Sequence, residues 1–252
     1  MRIKFILTSL LIISCNSSIV TEIFTKSNDF TINGTIDADD GSKIYILQAD
    51  QNNQPFIKDS ATIKDSKFKF TGEAAAPEIS YFQIEGINGY VLSIIESGKI
   101  NAQIFKDSVS ASLVTGTKSN NDFNKYRDQT KSLVNNINQI AYDQQEAIFN
   151  NDLELASKLR KDLSRKEQEV MLYEWDFIVN NKDSYMSALL LEVFMVENKV
   201  NKDSIIDVFN SFSNRIKISN VGKNISDLLI QYEDPINVGE LAPDFTAPSL
   251  DG

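Results

Sequence analysis

Histidine is missing from the 252-residue chain, and cysteine occurs once, as Cys15. The first absence excludes Ser-His-Asp and Cys-His nucleophilic sites, together with His-bearing zinc sites. The second excludes an intramolecular disulfide and a Cys-x-x-Cys redox pair within these residues. No catalytic residue, metal site or cofactor is nominated. Cations are scarce relative to acids: 25 Lys and Arg face 35 Asp and Glu, for a net charge of −10. That balance disfavours nucleic acid and anionic lipid surfaces, which need clustered basic side chains. An enzyme working with carboxylates alone would need two acids facing each other across a cleft, and no spacing marks such a pair. What is present suffices for a core. The hydrophobic fraction is 42%, so wholesale disorder is excluded, and the length allows one large or two modest domains.

The chain opens with Arg2 and Lys4, followed by an apolar run from Phe5 to Ile13. Crossing a bilayer takes roughly 20 apolar residues, so this run reads instead as a secretory signal over residues 1–14. Ile12-Ile13-Ser14-Cys15 then resembles a bacterial lipobox, a small residue before an obligatory cysteine. The resemblance implies that Cys15 is lipidated and becomes the mature N-terminus, leaving no free thiol. Several acyl chains anchor stably where one is marginal. Residues 16–29 are polar and unpatterned, suited to a tether. Asn16 stands where an aspartate would suggest inner-membrane retention. The expected location is therefore the cell envelope, lipid-anchored in the outer membrane and facing the periplasm.

From Phe30 the pattern becomes short alternating segments separated by turn residues. Phe30, Ile32, Gly34 and Ile36 alternate, and Asp39-Asp40-Gly41 makes a turn. Lys43–Ala49 is apolar on both faces, as a central strand is. Asp59–Ile63 and Lys67–Phe70 are expected to pair across Lys64-Asp65-Ser66. Further strands are expected over Ile79–Glu85, Tyr90–Ile95, Lys99–Ile104 and Ala111–Thr115. Short strands at this spacing predict an antiparallel β-sandwich or barrel over residues 30–117. Two readings of local clusters favour turns over ligands. Glu96-Ser97-Gly98 has turn chemistry, and Asp37, Asp39 and Asp40 lack the ordered ligand spacing of a calcium loop.

Residues 118–235 are expected to be a helical bundle, making the whole α+β. Phe123, Tyr126, Leu133, Ile137, Ile140 and Ala147 recur every three or four residues over Asn120–Asn150. Asn151 and Glu154 fit a capping box opening a second helix striped by Leu155, Leu159, Leu163, Val170 and Phe177. The short link makes a helical hairpin over residues 120–180, a candidate surface for a protein partner or self-association. Its stripe must be buried somewhere, which favours packing within the chain. Ser184–Val196 is apolar nearly all round and is expected at the bundle's centre. Asp203–Phe212 and Ile225–Tyr232 complete it, with Asp234-Pro235 ending the last helix.

Several words in these segments resemble one family. Val238–Gly252 (VGELAPDFTAPSLDG) is similar to the opening of the thioredoxin-fold domain in TlpA/ResA-like thiol–disulfide oxidoreductases and their peroxiredoxin relatives. Phe30-Thr31-Ile32-Asn33-Gly34, Asp59–Ile63 followed by Phe68–Gly72, Ile95–Ile100, and Thr115-Gly116-Thr117 resemble the domain of unknown function that precedes the redoxin domain in Bacteroidetes-type lipoproteins. Asn181–Leu191 resembles the stretch those lipoproteins carry before that domain. Ser66 departs from the family's turn glycine and Lys182 from its proline. The resemblance implies a thioredoxin-like domain begun at residues 236–252, with Pro243 and Phe245 in structural roles. It also implies a membrane-anchored accessory portion of a periplasmic oxidoreductase whose reactive cysteines lie outside these residues. The alternative is a stand-alone lipid-anchored binding or scaffold lipoprotein without enzymatic activity.

Overall fold

The computed structural model describes residues 28–50 and 54–233. The expected signal peptide, Cys15, the tether up to residue 27, Asp234-Pro235 and Val238–Gly252 lie outside them. Among the described residues eight strands form two four-stranded sheets: β1 (Asp29–Ile36), β2 (Lys43–Ala49), β3 (Pro55–Thr62), β4 (Lys67–Glu73), β5 (Glu78–Ile84), β6 (Val91–Ile95), β7 (Gly98–Ile104) and β8 (Leu113–Thr115). One sheet runs β4-β1-β7-β8 and the other β3-β2-β5-β6, stacked as a sandwich with no closed barrel. The apolar alternation sets the inner faces. Ile32, Ile36, Phe68, Phe70, Ile100 and Ile104 from the first sheet meet Ile44, Ile46, Phe82, Ile84, Val91 and Ile95 from the second. β2 is central, as its two apolar faces require. β3 is an exposed edge, where Pro55, Lys58 and Asp59 blunt pairing with other chains.

Two features of the sandwich differ from the sequence expectation. β1 and β7 pair in parallel, Ile32 opposite Ile100, whereas the other ladders are antiparallel. Asp59–Ile63 and Lys67–Phe70 do not form a hairpin ladder. The turn itself is there: Asp65 and Ser66 both have positive φ, 51° and 57°, and Lys64 and Lys67 exchange two backbone hydrogen bonds of 2.9 Å. Beyond that pair the strands part into opposite sheets. Ile63 N–H bonds Ser42 O while Ile36 N–H bonds Ser66 O, so each strand already has a neighbour. Asp40 takes part in this turn: its Oδ1 accepts from Asp65 N–H at 2.8 Å and fastens it. Left-handed backbone costs a side-chain-bearing residue about 1–2 kcal/mol. Ser66→Gly is therefore expected to stabilise the fold by about 1 kcal/mol, raising Tm by about 2–4 °C in calorimetry. A lower Tm would show that the hydroxyl has a role of its own.

The helical part comprises α1 (Lys118–Phe149), α2 (Leu153–Asn180), α3 (Tyr185–Val196), α4 (Lys202–Ser211), α5 (Asn214–Lys217) and α6 (Asn220–Glu233). α1 and α2 are the expected hairpin and pack on each other, although Leu155, expected on the buried stripe, is 43% exposed and the neighbouring Ala156 takes the inward place. At the base Tyr126 packs edge-on against Phe177, 5.5 Å between centroids, and donates to Glu174 at 2.6 Å. At the tip Ala147 and Ala156 are buried. The cap is Asp152 rather than Asn151: Asp152 Oδ1 accepts from Leu155 N–H at 3.0 Å. Asn151 instead takes the left-handed residue that ends α1, φ 56°, a role asparagine fills after glycine. α3 is the bundle's centre, with Tyr185, Ala188, Leu191, Phe194 and Met195 buried and Trp175 stacked on Phe194. Ile79, Leu92 and Ile94, on the outer face of β5 and β6, join the same cluster. The helices thus cover one face of the sandwich.

Candidate functional site

Two polar constellations stand out, one buried and one open. The buried one starts at Glu96, just past β6, at 6% exposure. Its Oε1 accepts from Ser119 N–H at 2.7 Å and its Oε2 from Ser119 Oγ–H at 2.9 Å. Oε2 also accepts from Nη1 of Arg215, which comes from α5. Arg215 Nη2–H donates to Asp183 O at 2.6 Å, and its Nε lies 3.3 Å from Asp183 Oδ1. Burial pushes the Asp183 carboxyl up; the Ser213 hydroxyl and the Arg215 charge outweigh it and hold it below the usual value. Beside this cluster Asn120 behaves like a neighbouring strand. Its side chain accepts from Ile94 N–H at 2.9 Å and donates to Ile94 O at 2.7 Å, while Asn124 donates to Val114 O.

These groups tie the start of α1, the α2–α3 link and α5 to the sandwich. Glu96 has three donors, and Ser119 is fully buried with no histidine to activate it. The chemistry is that of a clasp, with no free nucleophile or base. The turn reading of Glu96-Ser97-Gly98 holds in part, since these residues carry the chain from one sheet to the other. The partner in α5 was not visible in the sequence; the sole hint is an acid directly after the apolar pair Ile94-Ile95.

The open constellation is the outer face of the β4-β1-β7-β8 sheet, which holds a trough of about 690 Å³. Register places Lys69, Asn33, Asn101 and Thr115 in one row across all four strands, and Lys67, Thr35, Gln103 and Leu113 in the next. Lys99 lies one row along, opposite Thr31. No carboxylate lines the trough. Among the described residues there is no group of three or more His, Cys, Asp or Glu placed to hold a metal ion, and no helix long and apolar enough to cross a membrane. Cys15, Pro243 and Phe245 fall outside those residues.

Residues 30–123 match the family described as a domain of unknown function, DUF4369. The matched stretch spans the sandwich and the start of α1. No curated protein matches the chain, and no solved structure does.

Proposed function

We propose that this chain is the lipid-anchored accessory portion of a TlpA/redoxin-type thiol–disulfide oxidoreductase, held at the periplasmic face of the outer membrane through Cys15. The observation that carries the reading is the DUF4369 match. It covers, in order, the four sequence words that resemble the domain preceding the redoxin domain in such lipoproteins. In this reading the sandwich and bundle form the stalk, and the disulfide chemistry resides in a thioredoxin-fold domain that Val238–Gly252 resembles the start of. The DNA beyond the Gly252 codon is expected to encode Trp-Cys-x-x-Cys in frame; its absence in every frame would sink the oxidoreductase assignment. The open trough favours a second reading, a stand-alone lipid-anchored binding protein, which that outcome would leave in place.

Anchoring has its own test. Cys15→Ala is expected to move the protein from the membrane fraction to the soluble fraction, because the thioether and the acylated amine are both lost. Retention of the variant in the membrane fraction would refute lipidation at Cys15.

A further inference from the structure

We propose that the outer face of the β4-β1-β7-β8 sheet binds an acidic oligosaccharide. Lys67, Lys69 and Lys99 meet its carboxylates, and Asn33, Asn101 and Gln103 meet its ring hydroxyls. Strand geometry spaces these side chains roughly 4.8 Å apart across the sheet and about 6.8 Å apart along it. The face is thus a grid of donors about 14 Å wide, formed by all four strands. Its three lysines make no ion pair among the described residues. Its three amides make no side-chain hydrogen bond there, whereas Asn120, Asn124 and Asn220 elsewhere are engaged. In a chain with 35 acids and 25 bases, an acid-free trough with unpaired lysines is complementary to negative charge.

The same face selects against other occupants. An extended peptide gains its affinity by pairing backbone with a sheet edge, and here the exposed groups are side chains on the face. Phe68, the one aromatic residue in the lining, is buried beneath Gly34. A neutral sugar therefore finds no exposed ring to stack on, and charge together with hydroxyl recognition must supply the affinity. The site does not depend on the disulfide chemistry proposed above.

The test is titration calorimetry on the detergent-solubilised full chain at low salt, with tetragalacturonate as the probe. Saturable binding is expected, weakened at least about tenfold at high salt because exposed charges are screened. Maltotetraose, lacking carboxylates, and tetraglutamate, lacking hydroxyls, are each expected to bind at least about tenfold more weakly, a loss of about 1.4 kcal/mol. The double variant Lys69→Gln, Asn33→Ala should keep the wild-type Tm and lose binding by about the same factor. Lys58→Gln, on the other sheet, should change nothing. Absence of saturable heat with tetragalacturonate would overturn the proposal. So would equal affinity for tetraglutamate or maltotetraose, or unchanged binding in the double variant at unchanged Tm.

Discussion

Arg215→Met is expected to destabilise the fold by about 3–5 kcal/mol, because it leaves Glu96 as a buried carboxylate without its cation. The Glu96 side chain is 8% exposed and that of Arg215 is 22% exposed, so water replaces little of the lost contact. For a chain of this size the fall in Tm is on the order of 10 °C. The companion variant Glu96→Gln, Arg215→Met should recover much of the loss. An amide at residue 96 can still accept from Ser119, and no charge is stranded. If the single variant lost less than about 1 kcal/mol, the pair would behave like an exposed one and the clasp would not be what joins α5 to the sandwich. Acid adds a second readout. Asp183 has a lowered folded pKa, so its contribution is fully present above its unfolded pKa of about 4. It is lost as pH falls through the folded value. Without Arg215 the folded pKa moves back up, and the loss of stability below about pH 4 should be shallower than in the wild type.

Why that clasp escaped the sequence while the sandwich did not is a matter of what periodicity reports. Alternation tells which face of a strand is buried without reference to any neighbour, and Ile32 and Ile36, read as alternating in the sequence, are inward in the sandwich. It does not tell which strand lies alongside. The parallel β1–β7 pair joins segments separated by most of the domain, and β3 and β4 part after one bridge because each has a partner on the far side. Helical stripes were legible for the same reason, down to the all-apolar α3. The cap was not, because Asn151 and Asp152 are both acceptable caps and only the left-handed backbone at Asn151 decides between them. Glu96 and Arg215 are 119 residues apart, and nothing local marks either as buried. The trough sits between these cases. That Lys67, Lys69 and Lys99 point outward follows from alternation, but their alignment with Asn33, Asn101 and Gln103 requires the register of two ladders.

Gly34→Ala sets backbone propensity against packing, and packing is expected to win by about 3 kcal/mol. A glycine inside a strand ordinarily costs about 0.5–1 kcal/mol relative to alanine, so the isolated expectation is a gain. In the β1–β4 ladder, however, Gly34 lies directly opposite Phe68, whose ring covers the place a side chain would take. A Cβ at residue 34 would sit 1.9 Å from Phe68 Cζ and 2.2 and 2.3 Å from the adjoining ring carbons. The ring has little freedom to yield: Phe68 is 4% exposed, with Phe70 and Phe82 at 6.0 and 5.9 Å between centroids. Moving it disturbs the centre of the sandwich. Urea titration should show a lower midpoint at unchanged slope, the signature of lost stability without a change in surface exposed on unfolding. Phe68→Leu added to Gly34→Ala should restore part of the loss, since the shorter side chain vacates the clash. Gly72 supplies the internal comparison. It lies opposite Phe30 in the same ladder, but a Cβ there would stop 2.9 Å from the ring, and Phe30 is only half-buried. Gly72→Ala should therefore cost clearly less than Gly34→Ala. Equal costs would mean that the distance to the phenylalanine lying across each glycine does not set the penalty, and a gain at both positions would mean that strand propensity governs them.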